Sequence, residues 1–523
     1  MKRQTVQPSR NRFSHPLWSY AVAFLAGCVS LLSFAPYNLW PVQILCLALV
    51  FHLGWRSTTV RRALLLGWCY GFAYLYLGVY WLLIALTKFG GMPIWLSAPA
   101  LALLVAYMAV YSGLVLGIAV WLRGRWGIGD RTGMLLVMPA LWAVGECLRT
   151  WLFTGFPWAS IGYAHTASPL AGYAAVVGVY GVGWIVALIA ACIACWQHKK
   201  FTLPLIMLLL VAGAGLRTVQ WTQPMGKPIS VRLLQGNVAQ DMKFDEGHLV
   251  QSLEMYRDMI LSGPADLIAT PETAIPVLST QLPPDYLQGI RDFASASNSH
   301  IVVGIFAGDG KDRISNSIMG FTPAKPGAAA PQPYRYDKHH LVPFGEFIPY
   351  GFHWFVDLMH IPLADQTSAG LQQPPFQVKD QSVMPNICYE DVFGGEIAAQ
   401  LNSQRASGGK VASILLNVSN MAWYGQSTAI PQHLQITTMR VLETGRPMIR
   451  ATNTGATAVI DAQGIVRAKL DYDVLGSLRA TVQGTSGMTP YILLGGNTIV
   501  IVLATLALLL AWYLGRRTQG QRS

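Results

Sequence analysis

Eight apolar stretches, each long enough to cross a bilayer, restrict this 523-residue chain to few architectures. They cover residues 17–35, 38–55, 63–87, 93–122, 133–152, 170–196, 202–219 and 491–514. A spanning helix needs roughly 17–25 residues, and in lipid each segment must satisfy its own backbone hydrogen bonds, so helix is the expected form. The first stretch is long and a second comes almost at once, which reads as a retained helix and not as a removed signal segment.

Basic residues in the short loops set the orientation. Lys2, Arg3, Arg10 and Arg12 precede the first stretch, and Arg56, Arg61 and Arg62 separate the second from the third. Arg123, Arg125 and Arg131 lie between the fourth and fifth, Lys199 and Lys200 between the sixth and seventh, and Arg516, Arg517 and Arg522 after the eighth. The alternate loops carry little positive charge, Lys88 being the main exception. With basic loops inside, both termini are cytoplasmic and residues 228–485 lie on the outer side. The expected organisation is a membrane domain of seven transmembrane helices over 1–220, an extracytoplasmic domain over 228–485, and an eighth helix over 491–514.

The formal charge of +12 fits that division. Residues 228–485 hold 18 Lys and Arg against 23 Asp and Glu, whereas the remainder holds 19 against 2. The positive excess borders the apolar runs, where it orients the chain, and forms no nucleic-acid-reading face. Within the membrane region Glu146 and Arg149 lie three residues apart. They suit either a helix-surface pair near the interface or a role in fixing the aromatic, Gly/Pro-broken loop from Phe153 to Tyr163.

Residues 228–485 read as strands alternating with helices. β-rich runs occur at 231–235, 266–269, 300–306, 317–321, 382–387, 411–418, 448–451 and 456–460, with helical patterns at 246–261, 284–297, 393–404 and 431–443. The alternation predicts an α/β domain with helices packed on a sheet.

Three polar segments come directly after strand ends, where open α/β sheets place their sites. They are Thr270-Pro271-Glu272-Thr273-Ala274, the run 334–349 containing Lys338, His339, His340 and Glu346, and Asn386-Ile387-Cys388-Tyr389-Glu390-Asp391. Six of the seven cysteines sit in apolar runs, so Cys388 has no disulfide partner in its own domain and a reactive role is favoured. A thiol with a pKa of roughly 8.5 needs a base at neutral pH. Glu272 suits that task, and an ammonium such as Lys338 stabilises the oxyanion formed when a thiolate attacks a carbonyl. Singly, each residue also has an ordinary reading: a loop carboxylate or helix cap, a solvated lysine, a small buried hydrophobe. His339 and His340 are adjacent and lack metal-ligand spacing, which makes them structural. No metal and no cofactor are expected.

Together and in this order, the three segments resemble the Glu-Lys-Cys triad of the nitrilase superfamily of carbon–nitrogen hydrolases. Gln235-Gly236-Asn237, Pro343-Phe344-Gly345-Glu346, the Phe156-Pro157-Trp158 loop and the eight-span arrangement narrow the likeness. Over essentially its whole length the chain is similar to the apolipoprotein N-acyltransferase family. The resemblance implies an eight-helix membrane domain carrying an extracytoplasmic nitrilase-like sandwich in the bacterial inner membrane. It assigns Glu272 as general base, Lys338 as oxyanion-stabilising cation and Cys388 as nucleophile. Glu346 would orient the lysine and thiol region, Tyr389 and Glu390 match residues just after the nucleophile, and Trp423 matches an aromatic near the acyl site. Two positions depart from the family pattern: Met421, where Asp is frequent, and Phe244, where Trp is.

The resemblance further implies an acyl chain taken from a phosphatidylethanolamine-like phospholipid, held as a thioester on Cys388, and passed to the α-amino group of a diacylated apolipoprotein. A monomer is expected. Membrane placement of the thiol has a physical motive, since drawing a lipid chain into water costs about 0.8 kcal/mol per CH₂. The apolar run 351–363 is expected either to gate lipid entry or to pack on the domain's own core. Competing readings are a membrane-anchored nitrilase-type amidase, with water as second nucleophile, and a transporter, which the scarcity of charge in the spans disfavours.

Overall fold

A computed structural model describes residues 16–240, 243, 246–310, 313–325, 327–351 and 365–520. Phe244, the apolar run 352–363 and the basic residues of the N-terminal tail lie outside the described residues.

The N-terminal part is helical: α1 Pro16–Ser30, α2 Trp40–Trp55, α3 Val60–Gly78, α4 Ile94–Trp126, α5 Met138–Trp151, α6 Ala174–Ala194 and α7 Lys199–Leu216. Local chemistry marks several ends. Thr59 caps α3, its hydroxyl accepting from the Arg62 N–H at 3.2 Å, and α4 stops at Gly127 in the left-handed region (φ +61°). Arg123 in the last turn of α4 donates to the carbonyl of Trp55, the last residue of α2, and to that of Ser57 just beyond it, joining the two helix ends. Gly67 lets α3 and α4 touch, because a Cβ there would lie 2.3 Å from the Ser112 carbonyl oxygen.

Among the described residues five helical segments are long and apolar enough to cross a membrane: Ile94–Trp126, Asp130–Thr154, Pro169–Ala194, Trp196–Leu216 and Thr498–Gln519. A sixth is formed if Val60–Gly78 and Leu82–Phe89, bent by 60° at their junction, count as one span. Leu17–Ser33 and Trp40–Trp55 are apolar but shorter. The apolar run 63–87 is thus not one straight helix. The last run also differs from expectation: Pro490–Leu493 is a separate short turn, Gly495 and Gly496 take positive φ, and the long helix starts only at Thr498.

The soluble block is a sandwich of two mixed sheets. Its strands are β1 Ile229–Gln235, β2 Leu267–Ala269, β3 Ile275–Leu278, β4 His300–Gly310, β5 Arg313–Phe321, β6 Tyr334–Asp337, β7 Phe376–Val378, β8 Gln381–Ile387, β9 Ile414–Ser419, β10 Met448–Thr452, β11 Ala458–Ile460, β12 Val466–Lys469 and β13 Gly476–Val482. One sheet runs β13-β1-β2-β4-β5-β6, with β3 pairing β4, and the other runs β12-β11-β10-β9-β8-β7. Val231, Leu233, Ala269, Val302 and Ile318 of the first pack against Val383, Ile387, Leu416, Val418 and Ile449 of the second. Helices α8 Glu246–Leu261 and α9 Pro284–Ser297 cover the first sheet. Helices α10 Gly394–Ala406 and α11 Ala429–Thr444 cover the second. The chain ends in α12, Thr498–Gly520.

Helix α11 is also the seam with the membrane part. Trp158 Nε1 donates to Gln432 Oε1 at 2.8 Å, the Ala35 N–H to Gln435 Oε1 at 3.2 Å, and the Val179 N–H to Glu443 Oε1 at 2.8 Å. Side chains of α11 thereby accept from two backbone N–H groups and one indole N–H of the apolar helical part.

Candidate active site

Strand β2 is short because Pro271 has no N–H to extend the ladder. The chain turns there against β4. The Thr270 N–H donates to the Val302 carbonyl at 3.0 Å, and the Gly304 N–H donates to Thr270 Oγ1 at 3.0 Å. Only glycine suits position 304: a Cβ would stand 2.2 Å from the Pro271 carbonyl oxygen and 3.0 Å from the Glu272 Cα. Thr273 is left in the left-handed region (φ +45°), and Glu272 is turned inward, 6% exposed.

All the polar partners of the Glu272 carboxylate donate to it. Oε1 accepts from Asn316 Nδ2 at 2.8 Å and Lys338 Nζ at 3.2 Å, and Oε2 accepts from the Asn420 N–H at 2.9 Å. Lys338 comes immediately after β6, is 1% exposed, and is anchored by its own N–H to the Asn316 carbonyl at 2.9 Å. Its ammonium also donates to Glu346 Oε1 at 2.7 Å. Glu346 closes the turn after Lys338, with Oε1 accepting from Asn316 Nδ2 at 3.0 Å and Oε2 from the Val342 N–H at 2.9 Å. Burial works against the Lys338 charge, but Glu272 and Glu346 outweigh it and hold its pKa well above the usual lysine range. The ammonium is fixed, charged and dry, the state in which a cation best stabilises a developing oxyanion.

Cys388 caps β8 on the opposite sheet. Its φ of +52° is a rare conformation for a side chain with a Cβ. Such strain, of order 1–3 kcal/mol, is tolerated where the surroundings over-determine it. Ser419 Oγ donates to Cys388 Sγ at 3.3 Å. The next residue, Asn420, donates its N–H to Glu272, so two consecutive residues at the end of β9 place thiol and carboxylate side by side. Burial, then the Glu272 charge, push the thiol up to about 12, against the opposing pull of Lys338 and the Ser419 hydroxyl. At neutral pH the sulfur keeps its proton until a base removes it.

The other expected site residues divide. Tyr389 directs its hydroxyl away from the thiol, donating to the Gly155 carbonyl of the membrane loop at 2.8 Å. Glu390 does not face the reacting groups. It accepts from the Ile387 N–H at 2.6 Å, from the Tyr336 hydroxyl at 2.9 Å and from the His339 N–H at 2.7 Å, buttressing the Cys388 and Lys338 segments together. Trp423 lies in the turn after β9, edge-on to Phe89 with ring centroids 5.6 Å apart. Met421 is buried in the apolar core shared with the membrane part.

His339 and His340 form an ion cluster with Glu390 and Glu396. His339 contacts Glu390 through Nδ1 at 2.5 Å and Glu396 through Nε2 at 2.8 Å. Burial disfavours its charge, yet the two carboxylates raise it to about 10. Among the described residues no group of three or more His, Cys, Asp or Glu is arranged to hold a metal ion.

Sequence reasoning missed Asn316, Ser419, Asn420 and Lys243. The ammonium of Lys243 donates to the Glu272 carbonyl at 3.2 Å and to Thr273 Oγ1, bracing the strained turn. Burial lowers its pKa to about 8. The polar run Asn417-Val418-Ser419-Asn420 at a strand end was a usable signal, whereas Asn316 inside β5 left none.

A buried carboxylate, a buried ammonium and a partly buried thiol converging at one end of a two-sheet sandwich define the class of carbon–nitrogen hydrolases, and the family model described as Carbon-nitrogen hydrolase matches residues 230–491. The model described as Apolipoprotein N-acyltransferase N-terminal domain matches residues 26–192. The chain is 44% identical over 510 residues to an apolipoprotein N-acyltransferase of Ralstonia nicotianae, covering 95% of this chain and 94% of the relative. It is 42% identical over 508 residues to an apolipoprotein N-acyltransferase of Nitrosomonas europaea, covering 95% and 98%. Among solved structures, a carbon-nitrogen hydrolase from Helicobacter pylori G27 is similar at 16% identity and a TM-score of 0.34, over 49% of this chain and 90% of that one. The chain belongs to the apolipoprotein N-acyltransferase family.

Proposed function

We propose that the protein transfers an acyl chain from a membrane phospholipid to the α-amino group of a diacylglyceryl-cysteine at the N-terminus of an apolipoprotein. Glu272 takes the proton of Cys388 as the sulfur attacks the ester carbonyl, and Lys338 faces the oxyanion. Collapse expels the lysophospholipid alkoxide, which recovers the proton from Glu272, and leaves a thioester. The acceptor amine then attacks the thioester, Glu272 accepts its proton, and the leaving sulfur is reprotonated. One covalent intermediate serving two substrates gives ping-pong kinetics. The donor is a phosphatidylethanolamine-like lipid and the enzyme works as a monomer.

The observation that carries this reading is the convergence of Glu272, Lys338 and Cys388, from two sheets, in a chain of this family whose other half is apolar helix. Trp423, which touches Phe89 on the membrane side, would line the acyl site, and Tyr389 would support it through the Gly155 carbonyl. The two shorter apolar helices and the bent pair complete eight spans, with both termini cytoplasmic and the catalytic domain periplasmic in the bacterial inner membrane. The test is intact-mass analysis after incubation with phosphatidylethanolamine. A gain of one acyl group, absent in Cys388→Ala and discharged by a diacylated peptide with a free amine, is expected. Free fatty acid with no acylated peptide would instead indicate an amidase-like hydrolase.

A further inference from the structure

Inside the membrane part an ion pair is buried that the acyl-transfer steps do not use. Glu146 and Arg149 lie one turn apart on α5, 6% and 5% exposed, with Arg149 Nη2 3.7 Å from Glu146 Oε1. Charge is kept at such depth when it has a task. Both side chains hold the loop beyond α5. Arg149 Nη2 donates to Ser160 Oγ at 2.9 Å, and Glu146 Oε1 accepts from the Ile161 N–H at 2.8 Å. The Arg149 carbonyl accepts from the Phe156 N–H at 3.0 Å, and Ser160 Oγ donates on to the Pro157 carbonyl at 2.9 Å.

The loop between these tethers is not in a relaxed conformation. Phe153, Thr154 and Ala159 all have positive φ, at +54°, +70° and +59°. Three non-glycine residues in the left-handed region need surroundings that hold them there. In that shape the loop presents two carbonyls aimed at the catalytic domain. Gly155 accepts from the Tyr389 hydroxyl at 2.8 Å, and the Thr154 carbonyl meets His340 Nε2 at 3.0 Å. Tyr389 is the residue after Cys388, and His340 lies two residues after Lys338.

We propose that Glu146 and Arg149 are positioning residues of the acyl-transfer site, acting through the 153–161 loop and Tyr389 on the reactivity of Cys388. The inference rests on the acyl-transfer reading for its physiological consequence, but the positioning itself is measurable without lipid.

The experiment uses the full chain in nanodiscs containing phosphatidylethanolamine, with Arg149→Lys, Ser160→Ala, Tyr389→Phe and the two pairs that combine Tyr389→Phe with each of the others. Two rates are read: acyl-enzyme formation by intact mass, and iodoacetamide modification of Cys388 by peptide mass. Arg149→Lys keeps the charge but loses the guanidinium fork, and a slowing of about tenfold in both rates is expected from a lost charge-assisted hydrogen bond. Tyr389→Phe should slow both as well. Residues that act along one path are non-additive, so each pair should be no slower than its slower single variant within about twofold. Losses that multiply in the pairs, or single variants at wild-type rates, overturn the proposal. If Arg149→Lys does not fold, the Ser160→Ala pair makes the same comparison without uncovering a charge. Wild-type protein that alkylates normally but never acylates rejects the acyl-transfer reading, and the alkylation rates still decide the positioning.

Discussion

Glu346→Gln removes one charge and almost no volume, so its effect is governed by the hydrogen bonds around the carboxylate. Glu346 accepts three bonds: from Lys338 and Asn316 on Oε1 and from the Val342 N–H on Oε2. Glutamine has one oxygen. If it faces Lys338, the amide NH₂ points at the Val342 N–H; if it faces Val342, the NH₂ points at an ammonium. The first orientation loses the Val342 bond and the second loses both the Lys338 and the Asn316 bonds, so in each at least one donor faces another donor. Hydrogen bonds to charged groups are worth about 1.5–3 kcal/mol, which at about 1.4 kcal/mol per decade corresponds to roughly 10–150-fold in rate. The ammonium, with Glu272 as its remaining carboxylate partner, would also be drawn onto that carboxylate. Single-turnover acylation of Cys388 by phosphatidylethanolamine, monitored by intact mass, measures the effect. Acylation within about threefold of wild type would refute the argument, because no orientation of the amide satisfies all three donors.

The same geometry sets three further outcomes. Gly304→Ala should abolish acylation while Cys388 and Lys338 remain in place, because its Cβ meets the backbone of the Glu272 turn; activity near wild type would show that the turn can move. Ser419→Ala removes the hydroxyl that donates to Cys388 Sγ. It should slow iodoacetamide modification by roughly 2–12-fold, the equivalent of about 0.5–1.5 kcal/mol, and an unchanged rate would count against that bond. His339 is raised to about 10 when folded, against roughly 6.5 unfolded. A raised group stabilises fully below its unfolded value and loses that contribution as pH climbs through its folded value. The thermal midpoint should therefore fall between about pH 7 and pH 10 by less in His339→Gln than in wild type, and parallel curves would show that the imidazolium cluster adds nothing.

The interface supplies a reason for the positions of Tyr389 and Glu390. Both come just after Cys388, yet their polar groups bond elsewhere. One hydroxyl reaches the membrane loop and one carboxylate ties three backbone or side-chain donors of the neighbouring strand ends. Tyr389 thus ties this end of the sandwich to the loop after α5.

Much of this protein was written locally in the chain. Apolar runs identified the helices because hydropathy is a property of consecutive residues, and β-rich runs found the central strands β1, β2, β4, β5 and β8–β11 in place, with ends shifted by a few residues. The strands that escaped, β3, β6, β7, β12 and β13, are short or expose polar side chains, as in Val466–Lys469 and Gly476–Val482. Glu272, Lys338 and Cys388 were readable because each stands just past a strand with a chemistry-bearing side chain. The tertiary structure alone decided their company. Asn316 grips two carboxylates 44 and 30 residues away, and Asn420 meets Glu272 across 148. The break within 63–87 and the tether from Glu146 and Arg149 to Tyr389 belong to the same category. Hydrogen bonds between distant segments depend on how two sheets and a helix bundle stack, and no local pattern of residues encodes that distance.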